Sequence, residues 1–321
     1  MPPPFELTPR VLSTLSRIDQ GLGRLKGLSV AEPQPLLRKR NHVRSIQASA
    51  AIEGNPLSVD QVTALLDGKR VLGSQKDLRE ILNVNEAYAR LSSWRSTSPA
   101  RLRSAHGLLM KDLMPDAGCF RTGGVGVFRG QKLTHLAPPA HLVAHQVGQV
   151  LRWLRSSKTP SLVAGCVVHY ELLFIHPFND GNGRLARLWQ QVVHAKHSPL
   201  LRFVPVELIV RQRQRRYYDV LRKADRDGHC TRFLEFALAA VADGLDEFGT
   251  KVRPGRPLTA DRLSQAKQHF GQKWFTRAGF LSLHVNVSAA TASRDLAAGV
   301  AAKRLELRGT KRLAQYRFVN Q

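Results

Sequence analysis

Cysteine is nearly missing from this chain: three among 321 residues, Cys119, Cys166 and Cys230, far apart and odd in number. Such a set makes neither a disulfide framework nor a cysteine-rich zinc cluster, and a reducing cytoplasm is the expected compartment. Long apolar runs are missing too. The longest, FLEFALAAVA at 233–242, is broken by Glu235 and falls short of the ~18–20 residues that cross a bilayer. The opening MPPPFELTPR lacks the basic and apolar regions of a secretory signal, so no membrane partner is expected. Acidic residues are scarce: 24 Asp and Glu against 49 Lys and Arg leave a formal net charge of +25. That excess favours nucleotides, nucleic acid or acidic protein surfaces as partners. A general preference for arginine gives the same total, so charge by itself names no partner.

The length suggests two or three domains. Helical spacing of apolar residues marks 8–28, 36–54, 58–68 and 78–94. The stretch FRTGGVGVFRGQKLTHLA at 120–137 changes character, with two β-prone runs around a Gly-containing turn, and predicts a hairpin. Helices resume after it and run to about Phe248. GTKVRPGRPLTA at 249–260 then reads as a linker to a second, smaller unit.

The most informative stretch is FIHPFNDGNGRLARLW at 174–189. The nearly continuous apolar run 161–175 predicts a buried helix, and Pro177 disfavours helix at His176. A second apolar-faced helix starts near Gly183, so the polar residues lie on a loop entering a helix N-terminus. The first N–H groups of a helix lack partners and carry the positive end of its dipole. Gly181 and Gly183 let that backbone approach an anion closely. Arg184 and Arg187 share a face in the first turn and complete a phosphate site. Asp180 would repel phosphate unless a divalent cation lay between them, and one carboxylate plus phosphates is a usual Mg²⁺ arrangement. Histidine is the side chain whose chemistry suits a base working near neutrality, which makes His176 the candidate.

HPFNDGNGRLAR, residues 176–187, resembles the Fic signature H-P-F-x-[D/E]-G-N-G-R-x-x-R at every fixed position. The resemblance spans roughly residues 5–250 and implies a mainly α chain: a helical bundle with a β-hairpin flap, most of whose relatives transfer AMP from ATP to a protein hydroxyl. It implies a helical N-terminal region over 1–100, with the inhibitory motif, and a catalytic core over 101–250; the linker sets off a further small domain over 256–321. His176 would deprotonate the Ser, Thr or Tyr hydroxyl of the target, and Phe178 would anchor the loop. Asp180 would bind Mg²⁺ between the α- and β-phosphates. Gly181, Asn182 and Gly183 would form the anion hole, Arg184 would meet the β-phosphate and Arg187 the γ-phosphate. A phosphorylating relative carries Lys where this chain has Gly183, which favours AMP transfer here. The hairpin would lie over the site, align the target by strand addition and place Lys132, Leu133, Thr134 and His135 near the nucleotide. Tyr217, Tyr218 and Asp225 resemble adenosine-pocket positions, and two packed tyrosines on a helix explain the same pattern.

SAAIEG at 49–54 puts Ser49 and Glu53 four apart on one helical face, ordinarily an unremarkable pair. With Gly54 it resembles the inhibitory motif [S/T]-x-x-x-E-[G/N] of the same family. That likeness implies that Glu53 pairs with Arg187 in the place of the γ-phosphate and restrains the enzyme. In some relatives the same glutamate positions a water that removes AMP, so a de-AMPylating hydrolase is an alternative, as is a DNA-binding regulator that only senses nucleotide.

Residues 255–321 hold 12 Lys and Arg against 3 Asp and Glu. Ser288 predicts an N-cap for a helix carrying Thr291, Ser293 and Arg294, and two β-prone runs follow around Gly309. A helix–turn–helix and a hairpin in this order resemble a winged helix. In DNA-binding forms those three residues would face the major groove, with Lys311 and Arg312 on the wing. Protein docking or homodimer packing is the alternative use of the same fold.

Overall fold

The computed structural model describes residues 4–27, 33–129, 132–252, 259–284, 287–310 and 313–319. The chain divides into two compact units, Met1–Arg253 and Pro254–Gln321. In the first, α1 (Pro9–Gly27), α2 (Pro35–Ile52), α3 (Val59–Leu66), α4 (Gln75–Ala89) and α5 (Pro99–Leu109) precede a hairpin of β1 (Gly126–Arg129) and β2 (Lys132–Leu136). Then come α6 (Ala140–Ser156), α7 (Ser161–Ile175), α8 (Asn182–His197), α9 (Val206–Gln212), α10 (Gln214–Asp227) and α11 (Thr231–Lys251).

The helices begin where the sequence supplies caps. Ser58 and Gln61 form a reciprocal capping box at α3, Ser74 caps α4, and Ser98 caps α5 with Pro99 in its first turn. α7 is buried almost all round, as its apolar run predicts, and it packs along α8. A Cβ at Gly165 would sit 2.5 Å from the His194 ring, so only glycine lets these two helices come so close. Two apolar clusters flank the pair. One joins α1, α7, α9, α10 and α11 through residues such as Ile18, Val167, Phe233 and Val241. The other joins α2, α4, α5, α6, α7 and α8 through Ile46, Ile81, Leu102, Val147 and Trp189. Both clusters draw on residues before and after position 100, so 1–100 and 101–250 share their cores and form one unit. Both regions lie in the compact unit that ends at Arg253.

The second unit holds α12 (Thr259–Phe270), β3 (Phe275–Thr276), α13 (Arg277–Leu283), α14 (Ala289–Ala301), β4 (Leu305–Arg308) and β5 (Gln315–Phe318). Its antiparallel sheet runs β3-β5-β4 over a core of Leu263, Phe275, Phe280, Leu296, Leu305 and Phe318. That is the element order of a winged helix. Ser288 caps α14 as its sequence predicts, accepting from the Thr291 N–H at 3.2 Å. Ser293 accepts from Arg277 Nη1 at 3.0 Å, and Arg294 is exposed. Lys311 and Arg312 lie outside the described residues, as do 253–258 of the expected linker, whose start is instead the last turn of α11.

Candidate active site

The loop between α7 and α8 is held in an unusual shape. His176 closes α7 in the left-handed region, φ 49° and ψ 62°, which costs a non-glycine residue energy and needs support from its surroundings. Arg121, itself buried, supplies much of it. Its Nε donates to the His176 carbonyl at 2.7 Å, Nη2 to Ile175 O at 3.2 Å and Pro138 O at 2.5 Å, and Nη1 to Gly123 O at 2.8 Å. The Arg121 N–H also donates to Pro177 O at 3.0 Å. His176 Nδ1 lies 3.3 Å from Leu173 O. A carbonyl only accepts, so the proton belongs on Nδ1 and the ring's basic lone pair on Nε2.

Further along, Phe178 is fully buried and stacks on His106, centroids 3.6 Å apart. Asn182 clamps the same residue by its side chain: Phe178 N–H donates to Oδ1 at 3.0 Å and Nδ2 donates to Phe178 O at 2.8 Å. The amide of Asn182 therefore closes the loop, which leaves its backbone for any contact with an anion. His106 accepts from the Gly118 N–H on Nδ1 at 2.9 Å and so donates from Nε2 to the Asp180 carbonyl at 2.8 Å. Burial pushes its pKa down to about 4, so it acts as a neutral strut. Gly181 rests on this strut. Its φ is +79°, and a Cβ there would lie 2.6 Å from Met110 Sδ.

The side chain of Asp180 is 65% exposed, with Oδ1 taking the Gly181 N–H at 2.6 Å and Arg184 Nη2 at 3.3 Å. Among the described residues no cluster of three or more His, Cys, Asp or Glu is arranged to hold a metal. One exposed carboxylate at a helix N-terminus fits a hard cation that draws its other oxygens from phosphates and water.

Arg187 is the most enclosed charge of the group, 3% exposed in its side chain. Nη2 donates to Glu53 Oε1 at 2.8 Å and to Ser49 O at 2.9 Å, and Nε to Ser49 Oγ at 3.2 Å. Burial works against its charge, yet the Glu53 carboxylate outweighs that and holds its pKa above the usual value. Glu53 stands at the end of α2, where Gly54 turns the chain at φ +99°. Gly183 makes room for it: a Cβ at 183 would fall 2.2 Å from Glu53 Oε1. Arg184 is buried as well, paired with Glu80 of α4.

The structure thus gathers Ser49, Glu53, Asp180, Gly183, Arg184 and Arg187 around the start of α8, with His176 at the end of α7. In the hairpin, β1 and β2 pair antiparallel with a bulge that leaves Thr134 out of register. The side chains of Lys132, Leu133, Thr134 and His135 lie outside the described residues. Tyr217 is packed in the core, 2% exposed, with its hydroxyl 2.9 Å from His169 Nε2. Tyr218 is half-buried, 3.4 Å from Ile52 O, and Asp225 accepts from the Tyr170 hydroxyl at 2.8 Å. Sequence reasoning missed His106, Arg121 and Glu80. None of the three lies within the signature loop or the inhibitory motif, so no contiguous pattern marks them.

The Fic/DOC family model matches residues 96–193. The chain is 27% identical over 248 residues to the protein adenylyltransferase Fic of Nematostella vectensis, covering 73% of this chain and 55% of that one. It is 29% identical over 181 residues to protein adenylyltransferase fic-1 of Caenorhabditis elegans, covering 53% and 34%. The chain thus spans about a third to a half of the length of these relatives. The fold of C. elegans Fic-1 residues 134–508 superposes with a TM-score of 0.59 at 21% identity, over 74% of this chain and 72% of that one. A Fic family protein from Desulfovibrio desulfuricans G20 superposes over 100% of this chain and 99% of its own, with a TM-score of 0.75 and 35% identity. With that match over both units, and with the signature loop folded around the end of α7, this chain belongs to the Fic family.

Proposed function

We propose that the protein is an ATP-dependent protein adenylyltransferase restrained by its own Glu53. The observation that carries this reading is the Glu53–Arg187 ion pair beside an intact signature loop. The relatives named above as protein adenylyltransferases support the reaction type.

In this reading the target's hydroxyl oxygen attacks the α-phosphorus, its proton passes to His176 Nε2, and the bond to the β-phosphate breaks to release pyrophosphate. In-line transfer of this kind needs positioning and charge neutralisation above all. The backbone N–H groups of Gly181–Gly183 and the α8 dipole receive the phosphates, with Arg184 beside them. Asp180 would hold Mg²⁺, which supplies further neutralisation of phosphate charge. Glu53 occupies Arg187 with a carboxylate, so a γ-phosphate has to displace it before the nucleotide can lie productively. The exposed arginines of the C-terminal unit suit DNA or an acidic protein surface, and a steep fall of duplex binding with salt separates the two.

The test is transfer of label from α-labelled ATP to the protein itself. Glu53→Gly should raise it about tenfold or more, equal to ~1.4 kcal/mol of barrier. His176→Ala in that background should lower it by about 10²–10⁴-fold. Undiminished labelling in His176→Ala rejects the assigned base, and label arriving from γ-labelled ATP instead rejects adenylyl transfer.

A further inference from the structure

We infer that Glu80 is a positioning residue that aims Arg184 at the nucleotide and, through Asn55, fastens the inhibitory turn to the same arginine. The inference rests on the reading that Arg184 meets phosphate.

Arg184 and Glu80 are 5% and 6% exposed, on α8 and α4, and Glu80 Oε1 accepts from Arg184 Nη1. The other carboxylate oxygen is taken as well: Asn55 Nδ2 donates to Glu80 Oε2 at 2.8 Å. Asn55 is itself fully engaged, donating also to Asp77 O at 3.1 Å and accepting the Leu57 N–H at 3.1 Å. It stands two residues after Glu53, and its own N–H donates to Ala50 O at 3.2 Å. The single turn 53–55 therefore holds both arginines, Arg187 directly and Arg184 through Glu80.

The two counter-ions differ in kind. Glu53 sits at a helix end with 29% of its side chain exposed, and it can swing away. Glu80 is enclosed and its oxygens are both bonded, so it stays. A buried ion pair is no gain in stability over well-packed apolar residues, because removing two charges from water costs about what their attraction returns. What it does supply is direction. A guanidinium carries five N–H donors in a rigid plane, and pinning Nη1 to Glu80 sets how the rest of that plane faces the loop. Nη2 points to Asp180 Oδ1, and Nε is buried with no hydrogen-bond partner among the described residues. Arg184 thus keeps unused donor capacity while its orientation is fixed, which suits an anion that arrives later.

The two roles separate by background. In Glu53→Gly protein the brake is gone and only aiming remains. There, Glu80→Gln should weaken ATP binding about tenfold, raising KM for ATP by the same factor while kcat changes by less than about threefold. Asn55→Ala with Glu53 intact should raise self-labelling several-fold by loosening the turn; in Glu53→Gly protein no brake is left to loosen, and the same substitution should give no rise and, by freeing Glu80 Oε2, a modest increase in KM for ATP. Direct titration with ATP reads the aiming role even if no label is transferred, so failure of the adenylylation reading stays distinguishable. Should Glu80→Gln not fold, as circular dichroism would show, the Asn55→Ala pair decides. Unchanged ATP affinity in folded Glu80→Gln, or an Asn55→Ala effect of equal size in both backgrounds, overturns the inference.

Discussion

A glycine in the first turn of a helix normally weakens it, because its backbone loses more freedom on folding than that of any other residue. Gly183 occupies that position in α8, with a φ in the ordinary range and the Glu53 carboxylate pressed against the place where a Cβ would be. The glycine is explained by its neighbour. Placing a methyl group there should expel Glu53, since a flexible side-chain end gives way more readily than a helix. Gly183→Ala is therefore expected to leave Arg187 buried and unpaired, lowering stability by about 1–3 kcal/mol after a gain of up to ~1 kcal/mol in helix propensity. In Glu53→Gly protein the carboxylate is gone and Arg187 Nη1, 3.2 Å from that Cβ, has only to give by a few tenths of an ångström, so the same substitution should stabilise by up to ~1 kcal/mol. Urea unfolding of the four proteins checks the reversal of sign. Destabilisation in both backgrounds would show that the methyl group meets something other than Glu53.

At the scale of elements, the loop was legible because its chemistry is contiguous: twelve neighbouring residues carry base, acid, glycines and arginines. Ser49 and Glu53 were legible through a spacing of four on a helix. The supports were not, because each reaches across the chain to a backbone atom or a buried partner. His106 and Asp180 are 74 residues apart, Arg121 and His176 are 55 apart, and Arg184 and Glu80 are 104 apart. α5 itself escaped periodicity, since PARLRSAHGLL mixes arginines with a glycine and buries His106 among leucines. Nor does the sequence distinguish Tyr217 in a core from Tyr217 at a pocket; only the packing of α10 against α7 and α11 does. The shape of the α7–α8 connection thus depends on side chains from outside it. Arg121 satisfies four carbonyls, and lysine could serve fewer of them from a single ammonium. Arg121→Lys is expected to cost about 2–4 kcal/mol, the price of leaving buried acceptors unpaired, and to speed amide exchange at 176–183 more than in α11. Exchange rising equally in both places would mean that Arg121 supports the whole unit and not this connection.

Across the whole molecule, buried groups pull acid stability in opposite directions, and the largest shifts lie in the first unit. Burial pushes the pKa of His106 down to about 4, of His169 to about 3 and of His194 to about 4. Below about pH 6.5 the unfolded chain takes up protons that these native histidines refuse, so acid favours unfolding. Glu171 acts the other way. Burial raises its carboxyl to about 8, and Glu207 is shifted upward for the same reason. Between about pH 8 and the ordinary carboxylate range native Glu171 holds its proton and the unfolded chain does not, so falling pH stabilises through it, and Glu207 acts in the same direction. From pH 8 to about 6.5 Glu171 acts nearly alone and stability should rise by ~1–2 kcal/mol. From about 6.5 to 5 the three histidines oppose it, and the balance should turn to a loss of roughly 2–3 kcal/mol. The expected profile is a maximum near neutrality, with the acid-side decline of the first unit carried by its three histidines and His284 acting in the same direction in the second. Calorimetry across this range measures it directly. Glu171→Gln keeps the shape but removes one of the titrating groups, so it should flatten the rise below pH 8 and leave the acid limb in place. A wild-type stability that climbs without a break to pH 5 would mean that the histidines become charged inside the fold, and that His106 does not reach Asp180 as a neutral donor.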